Sequence, residues 1–242
     1  MKNPNGPYPG RQLFLGKTLK QEPIFAYLIT GRSPESRERK AVLVDNTIRI
    51  GPLSNQSYDP LRHYSAVKYD NVSGIVVISN GIQTEAIFET YKLLFNTNSQ
   101  PNKDYLEKIL DGAGAEPDSY HTPRIAGVVT YSPNKNGDPI LIVGIKGYNS
   151  AAKATVAQVE PRTLVGVSTY KGPIDNPEAG DPDAILAKLE FKGETAEELA
   201  LLLFDISYIN YKENDIRVCT VGGILLEKKT WVLSVHNVHS KK

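Results

Sequence analysis

Arginines at the ends of strand-like segments are the first residues of this sequence whose types and spacing suit chemistry. Arg11 precedes one apolar segment, and Arg32 follows another through a single glycine, with Ser33 next and Arg37 shortly after. Planar guanidinium groups bind phosphate oxygens in pairs, and small residues let backbone N–H groups approach an anion. The pattern predicts a phosphate site, and a solvated charged loop is the alternative.

Two further pairs of polar residues lie where apolar segments begin or end. The phenol of Tyr64 and the amine of Lys68 are four residues apart, and Asn80-Gly81 ends the apolar segment 74–78 just before a helical pattern. Tyrosine and lysine side chains can transfer protons in catalysis. The structural alternatives are a tyrosine that only packs and an ordinary Asn-Gly turn.

A third segment places an arginine on the first residue of a predicted strand. Arg124 follows Thr122-Pro123, and the carboxylates of Glu116 and Asp118 lie shortly upstream. Carboxylates close to an arginine are typical of an acid–base site and equally of a structural ion pair. The sequence leaves both interpretations open.

The elements that must position these residues are mostly strands. Short runs rich in Val, Ile, Leu, Phe and Tyr recur along the chain, each bounded by Gly, Pro, Asn or Asp. Helical spacing appears over residues 84–95, 101–110 and 195–209, and the last begins with the capping box Thr195-x-x-Glu198. Because helices do not alternate regularly with strands, we expect an α+β fold: two stacked, mainly antiparallel sheets with helices outside, in one domain over residues 1–242.

Composition excludes several classes of function. The chain has 242 residues and a net charge of +1, so no broad basic surface exists for nucleic acid or an anionic membrane. The apolar runs are far shorter than the roughly 20 residues of a membrane helix. The single Cys219 excludes an internal disulfide. Since the N-terminal residues lack an apolar signal segment, we expect a cytoplasmic protein.

Taken together, the polar segments resemble, in order and spacing, the archaeal-type IMP cyclohydrolase family. The resemblance covers roughly residues 8–131. The matching segments are Gly10-Arg11, Ala26-Tyr27 leading to Arg32-Ser33 and Arg37, Tyr64-x-x-Val67-Lys68, Ser79-Asn80-Gly81 with Thr84-Glu85, and Thr122-Pro123-Arg124-Ile125-Ala126.

The resemblance implies a four-layer αββα sandwich like that of the N-terminal nucleophile hydrolases, without their nucleophile. It implies an enzyme of the cyclic-amidine hydrolase class that closes the ring of 5-formamidoimidazole-4-carboxamide ribotide, with loss of water, to give IMP. This reaction needs no metal and no redox cofactor. The alternative is a non-catalytic purine-nucleotide-binding protein on the same fold. An amide hydrolase of that fold is a third hypothesis, but neither Ser33 nor Ser79 has a base beside it in the sequence.

The resemblance also assigns roles. Glu116 is the expected base, and Tyr64 with Lys68 the expected acid or oxyanion donor, because a nearby cation lowers the pKa of a phenol. Arg32 polarises the formyl oxygen or binds the phosphate. The residues expected to bind the substrate are Arg11, Ser33, Arg37, Asn80, Gly81 and Arg124. The expected partner is a small purine ribotide, with neither nucleic acid nor membrane, and exposed strand edges are compatible with a homo-oligomer.

Overall fold

Strands dominate the structure, as the spacing of apolar residues predicts. The computed structural model describes residues 8–54, 57–132, 137–180, 187–227 and 230–238. Within these ranges the strands are β1 (Arg11–Lys17), β2 (Pro23–Thr30), β3 (Arg39–Val44), β4 (Thr47–Pro52), β5 (Tyr64–Tyr69), β6 (Val76–Ser79), β7 (Arg124–Thr130), β8 (Ile140–Lys146), β9 (Lys153–Val156), β10 (Thr163–Ser168), β11 (Tyr170–Lys171), β12 (Glu178–Ala179), β13 (Ala187–Glu190), β14 (Asn210–Tyr211), β15 (Asn214–Asp215), β16 (Arg217–Leu226) and β17 (Thr230–Asn237). The helices there are α1 (Pro34–Arg37), α2 (Gln83–Asn96), α3 (Lys103–Ala113) and α4 (Ala196–Ile206).

Most of these strands belong to two antiparallel sheets. The first sheet has the strand order β13-β10-β1-β2-β16-β17, and the second runs from β3 to β9 in the order of the sequence. Two short hairpins, β11-β12 and β14-β15, are separate from both sheets. Antiparallel neighbours place the start of one strand beside the end of the next. The first residue of β1 therefore lies beside the end of β2, and the start of β7 lies beside the end of β6.

The two sheets pack face to face around one apolar core. Leu13 and Phe25 of the first sheet and Val67 and Ile125 of the second belong to this core. Helices α2 and α3 cover the outer face of the second sheet, and α4 covers the outer face of the first. The order of layers confirms the predicted αββα sandwich, while the likeness to N-terminal nucleophile hydrolases stays a prediction. No helix in the described part of the chain is long and apolar enough to cross a membrane.

In helix α4 the local sequence determines the start of the helix, and tertiary packing determines its end. Thr195 accepts a hydrogen bond from the backbone of Glu198, whose side chain returns to the backbone of Thr195, so the predicted capping box is present. The helix ends at Ile206, earlier than the apolar spacing predicts. Ile209 packs instead with Ile216 in a small cluster beside the N-terminal segment. Tertiary contacts thus override the helical pattern in its last turn.

Strand β16 is longer than the sequence predicts. The apolar pattern predicts two strands, 216–221 and 224–226, separated by Gly222-Gly223, whereas the structure has one continuous strand through both glycines. A Cβ at Gly222 would lie 2.3 Å from the carbonyl oxygen of Ala196 in α4, and one at Gly223 would lie 2.1 Å from the ring of Phe25. Gly222 lets helix α4 approach the strand closely, and Gly223 gives room to the ring of Phe25 on the adjacent strand β2.

Gly222→Ala tests this close approach. We expect a loss of about 1–3 kcal/mol in the free energy of unfolding, because the added methyl group must push α4 away from the sheet. Urea denaturation measures it. Gly51→Ala is the matched control, since a Cβ at this strand glycine meets nothing within 4 Å. Equal stability of the two variants would contradict the interpretation.

Candidate active site

A cavity of about 660 Å³ opens at the edge where both sheets end. Arg11 and Arg39 are the first residues of their strands, and Thr30 is the last residue of β2. All three line the cavity, together with Glu116 from the segment between α3 and β7. Antiparallel pairing thus gathers strand starts and strand ends at a single edge, which is why residues far apart in the sequence meet there.

The buried carboxylate of Glu116 is the centre of the site. Its Oε2 lies 2.8 Å from Nη2 of Arg11, and its Oε1 lies 3.4 Å from Nη1 of Arg124. Asn80 Nδ2 donates to Oε1 over 3.2 Å, and the backbone N–H of Glu116 donates to the carbonyl oxygen of Thr122. The ion pair left open by the sequence is present and joins both sheets. The carboxylate of Asp118 accepts hydrogen bonds from Thr122 instead of forming a direct ion pair, although its charge still acts on Glu116 and Arg124.

The electrostatics of this cluster follow from burial and from two cations sharing one anion. Burial raises the pKa of Glu116, and the guanidinium groups of Arg11 and Arg124 oppose that rise. Burial lowers the pKa of Arg124 despite the carboxylate. For Arg11 burial acts in the same direction, but Glu116 outweighs it together with Tyr64 and Tyr27, so the pKa of Arg11 is raised. The charge of Asp118 acts on this cluster too. Among the described residues that line the cavity, six cationic side chains outnumber three carboxylates, which favours an anionic ligand.

Asn80 is saturated by the protein itself. Its Oδ1 accepts from the backbone N–H of Ile125 and from Gln83, and its Nδ2 donates to the carbonyl oxygen of Pro123 and to Glu116. An amide side chain has two donor hydrogens and one oxygen with two lone pairs, so all of its capacity is used. Asn80 is fully buried and is not among the residues that line the cavity. In this structure Asn80 holds Glu116, and its contact with the substrate stays a prediction.

Gly81 makes room for Arg124. A Cβ at Gly81 would lie 2.1 Å from Nη1 of Arg124 and 2.9 Å from Oε1 of Gln83. Arg124 is 3% exposed and does not line the cavity. Arg124 therefore supports the carboxylate of Glu116 from outside the cavity lining, and Gly81 gives it space. The substrate contacts expected of both residues stay predictions.

The rim of the cavity carries the other predicted arginines. The guanidinium of Arg32 lies 4.6 Å from the ring centre of Tyr120 and 5.7 Å from that of Tyr8, and it donates to the carbonyl oxygen of Ile174. Arg37 also lines the cavity, but its Nη1 donates to the carbonyl oxygens of residues 31 and 32. Through these hydrogen bonds Arg37 stabilises the turn that carries Arg32.

Ser33 lines the cavity as a helix cap. Its hydroxyl accepts a hydrogen bond from the backbone N–H of Ser36, and the side chain of Ser36 returns the bond to the Ser33 backbone. The charged loop that the sequence predicts as an alternative is thus partly the single turn α1. Arg39, another arginine of the arginine-rich N-terminal third, also lines the cavity. Sequence reasoning missed two further cations that line it, Arg62 and Lys212, for which a basic residue close to a strand start was the only signal.

Tyr64 lies in the interior, between the two sheets. It is 5% exposed, its phenol oxygen lies 2.9 Å from that of Tyr27, and its electrostatic interactions with Arg11 and Arg124 place it beside the ion cluster. Tyr27 comes from β2 of the first sheet and Tyr64 from β5 of the second. The phenol that the sequence singled out is therefore close to the predicted base.

Lys68 lies on the opposite face of β5, which corrects the expected pairing with Tyr64. Its Nζ is 2.5 Å from Glu85 and 3.0 Å from Glu89 of α2, and it lies over the ring of Phe88. In a regular strand, residues four apart share a face. The register shift between β4 and β5 inserts one extra residue after Tyr64, and this bulge turns Lys68 outward.

Glu116→Gln tests the central ion pair. Removing the carboxylate leaves two buried guanidinium groups without their counter-charge, so we expect a loss of about 3–5 kcal/mol in the free energy of unfolding. Chemical denaturation measures it. The control is Glu89→Gln, which breaks an ion pair at the surface and should cost less than about 1 kcal/mol. A small loss in the Glu116 variant would contradict the central role of the carboxylate.

Comparison with known proteins agrees with this geometry. The family model described as "IMP cyclohydrolase-like protein" matches residues 8–229. A protein named IMP cyclohydrolase from Methanocaldococcus jannaschii is 32% identical over 90% of this chain and 94% of its own length. Others of that name, from Methanococcus maripaludis and Haloquadratum walsbyi, are 30% and 29% identical over 82% and 83% of this chain, and 88% and 85% of their own lengths. The predicted family is confirmed, and the match extends well beyond residue 131: this chain belongs to the IMP cyclohydrolase-like family.

Proposed function

We propose that this protein is an IMP cyclohydrolase, which closes the ring of 5-formamidoimidazole-4-carboxamide ribotide, with loss of water, to give IMP. The observation that carries the proposal is the cavity lined by a buried carboxylate and several guanidinium groups, with the phenol of Tyr64 beside the ion cluster. The names of relatives that align along most of the chain support the same activity. The predicted enzyme class, a hydrolase acting on cyclic amidines, follows from it.

The substrate's phosphate group binds at the cavity rim. Arg32 and Arg62 line the cavity with Lys212, so several cations face one volume. A chain with a net charge of +1 holds an anionic ligand through such a local cluster. The cavity volume of about 660 Å³ falls within the range of small-molecule sites.

Ring closure is intramolecular, so the main task of the protein is to select one conformer. The carboxamide nitrogen attacks the formyl carbon of the same molecule, and binding fixes the rotamer that brings the two together. One proton leaves the carboxamide nitrogen and one leaves the formamide nitrogen. Both end on the former formyl oxygen, which departs as water. The site must therefore accept protons, stabilise an oxyanion and return protons.

Three residues supply these functions. Glu116 accepts the proton from the carboxamide nitrogen. Burial raises the pKa of its carboxyl group and so favours proton uptake. Arg11 lines the cavity beside it and stabilises the oxyanion. Tyr64 donates a proton to the leaving oxygen. Arg124, Asn80 and Gly81 hold Glu116 in place.

Tyr64→Phe tests the proton donor. We expect kcat to fall about 10²–10⁴-fold, as is typical when a positioned acid is lost, while IMP still binds. Purine absorbance after addition of the formyl ribotide measures turnover. Tyr69→Phe is the control, because Tyr69 is a buried tyrosine on the same strand. An unchanged kcat in the Tyr64 variant would remove this residue from the mechanism, and a wild-type protein that binds IMP without turnover would support the non-catalytic alternative.

Arg32→Ala tests the phosphate site. A hydrogen bond to a charged group contributes about 1.5–3 kcal/mol, so we expect KM for the formyl ribotide to rise about tenfold or more, with a smaller change in kcat. Steady-state kinetics measure both constants. Arg49→Ala removes an exposed arginine that does not line the cavity and should leave both constants unchanged. Equal KM values for the two variants would place the phosphate elsewhere.

Other properties stay predictions from the sequence: a cytoplasmic location, a single domain over residues 1–242, absence of a nucleic-acid partner, and a homo-oligomer. Strands β9, β13, β3 and β17 are the outermost strands of the two sheets in the described residues. Size-exclusion chromatography with light scattering measures the oligomeric state directly.

A further inference from the structure

We propose that Tyr27 is a positioning residue that orients the hydroxyl group of Tyr64 for proton transfer. The inference rests on the proposed function and adds a residue outside the set predicted from the sequence. Its basis is the hydrogen bond of 2.9 Å between the two phenol oxygens, which crosses from one sheet to the other.

The position of Tyr27 is fixed by its strand. It lies in the middle of β2, opposite Leu13 of β1 and Val221 of β16, so hydrogen-bond ladders hold its backbone on both sides. The side chain is fully buried in the core between the sheets. A side chain on a central strand is held more rigidly than one on a loop, so the phenol of Tyr27 can fix the orientation of the Tyr64 hydroxyl.

The hydrogen bond leaves few choices for the two hydroxyl protons. Burial raises the pKa of Tyr27 well above its ordinary value of 10.0, so this phenol keeps its proton throughout the working range of pH. When Tyr27 donates to the oxygen of Tyr64, the proton of Tyr64 must point elsewhere. Arg11 interacts electrostatically with both phenols and lines the cavity, so a proton that leaves Tyr64 on the side of Arg11 moves towards the cavity.

The same donor also acts after proton transfer. Once Tyr64 has given up its proton, the hydroxyl of Tyr27 still donates to the phenolate oxygen and stabilises its charge. The other groups that interact with this pair are Arg11 of β1, Arg124 of β7 and Cys219 of β16. Burial raises the pKa of Cys219 to about 12, so the thiol stays neutral and does not compete for the proton.

Tyr27→Phe tests the inference, because it removes one oxygen atom and keeps the ring that packs in the core. We expect kcat to fall about tenfold, the effect of one hydrogen bond of about 1.4 kcal/mol, with KM and the affinity for IMP unchanged. In the Tyr64→Phe background the same substitution should cause no further loss, since Tyr27 acts only through Tyr64. A structural role would lower kcat in both backgrounds.

Tyr91→Phe is the matched control. Tyr91 is also fully buried and donates one hydrogen bond, to the carbonyl oxygen of Asn102, but it belongs to α2 and packs in the outer layer, away from the ion cluster. The kcat of the Tyr91→Phe variant should equal that of the wild type. Thermal unfolding of each variant shows that the comparison is made between folded proteins.

Replacement of Tyr27 by 3-fluorotyrosine covers the case in which Tyr27→Phe does not fold. The fluorinated phenol retains the hydroxyl but donates a stronger hydrogen bond to Tyr64. Because Tyr27 acts on proton transfer and does not touch the substrate, kcat should change and KM should stay the same. The inference is overturned if either Tyr27 variant turns over like the wild type, or if the losses from Tyr27→Phe and Tyr64→Phe multiply in the double variant. If the wild-type protein has no ring-closure activity, the proposed function fails together with this inference. If the wild type is active and the Tyr27 variants behave like it, only this inference fails.

Discussion

The structure depends on one buried carboxylate held between guanidinium groups from different sheets. Removing an ion from water costs several kcal/mol, and the cost is offset only when opposite charges and hydrogen bonds surround it. Glu116 has both, because Arg11 comes from the first sheet, Arg124 from the second, and Asn80 adds a donor. Glu116 can pair with both arginines only when the two sheets stack in this arrangement. The same stacking therefore forms the apolar core and assembles the site.

The excess of cations over anions around the cavity links stability to function. Asp118 accepts hydrogen bonds from Thr122 and keeps its charge, so the excess comes from the rim of the cavity and not from the buried cluster. Arg32, Arg62 and Lys212 at that rim are available for a phosphorylated ligand.

Much of the fold follows from local patterns. The capping box at Thr195 and the apolar spacing predict α4, and β2 reads as a continuous apolar run because the core covers one of its faces and α4 the other. The errors have physical reasons. Gly222-Gly223 interrupts the apolar pattern because α4 and the ring of Phe25 need the space, and a bulge separates Lys68 from the face that Tyr64 occupies.

The sequence by itself determined the fold class, the family, and the residue types of the site, because apolar periodicity and short polar segments are local in the chain. Only the tertiary structure decided which of those residues face the cavity. It saturated Asn80 within the protein, turned Lys68 outward and brought Tyr27 to Tyr64 from the opposite sheet. These outcomes depend on strand register and on the stacking of two sheets, and both are set by contacts between distant segments, which no local pattern records.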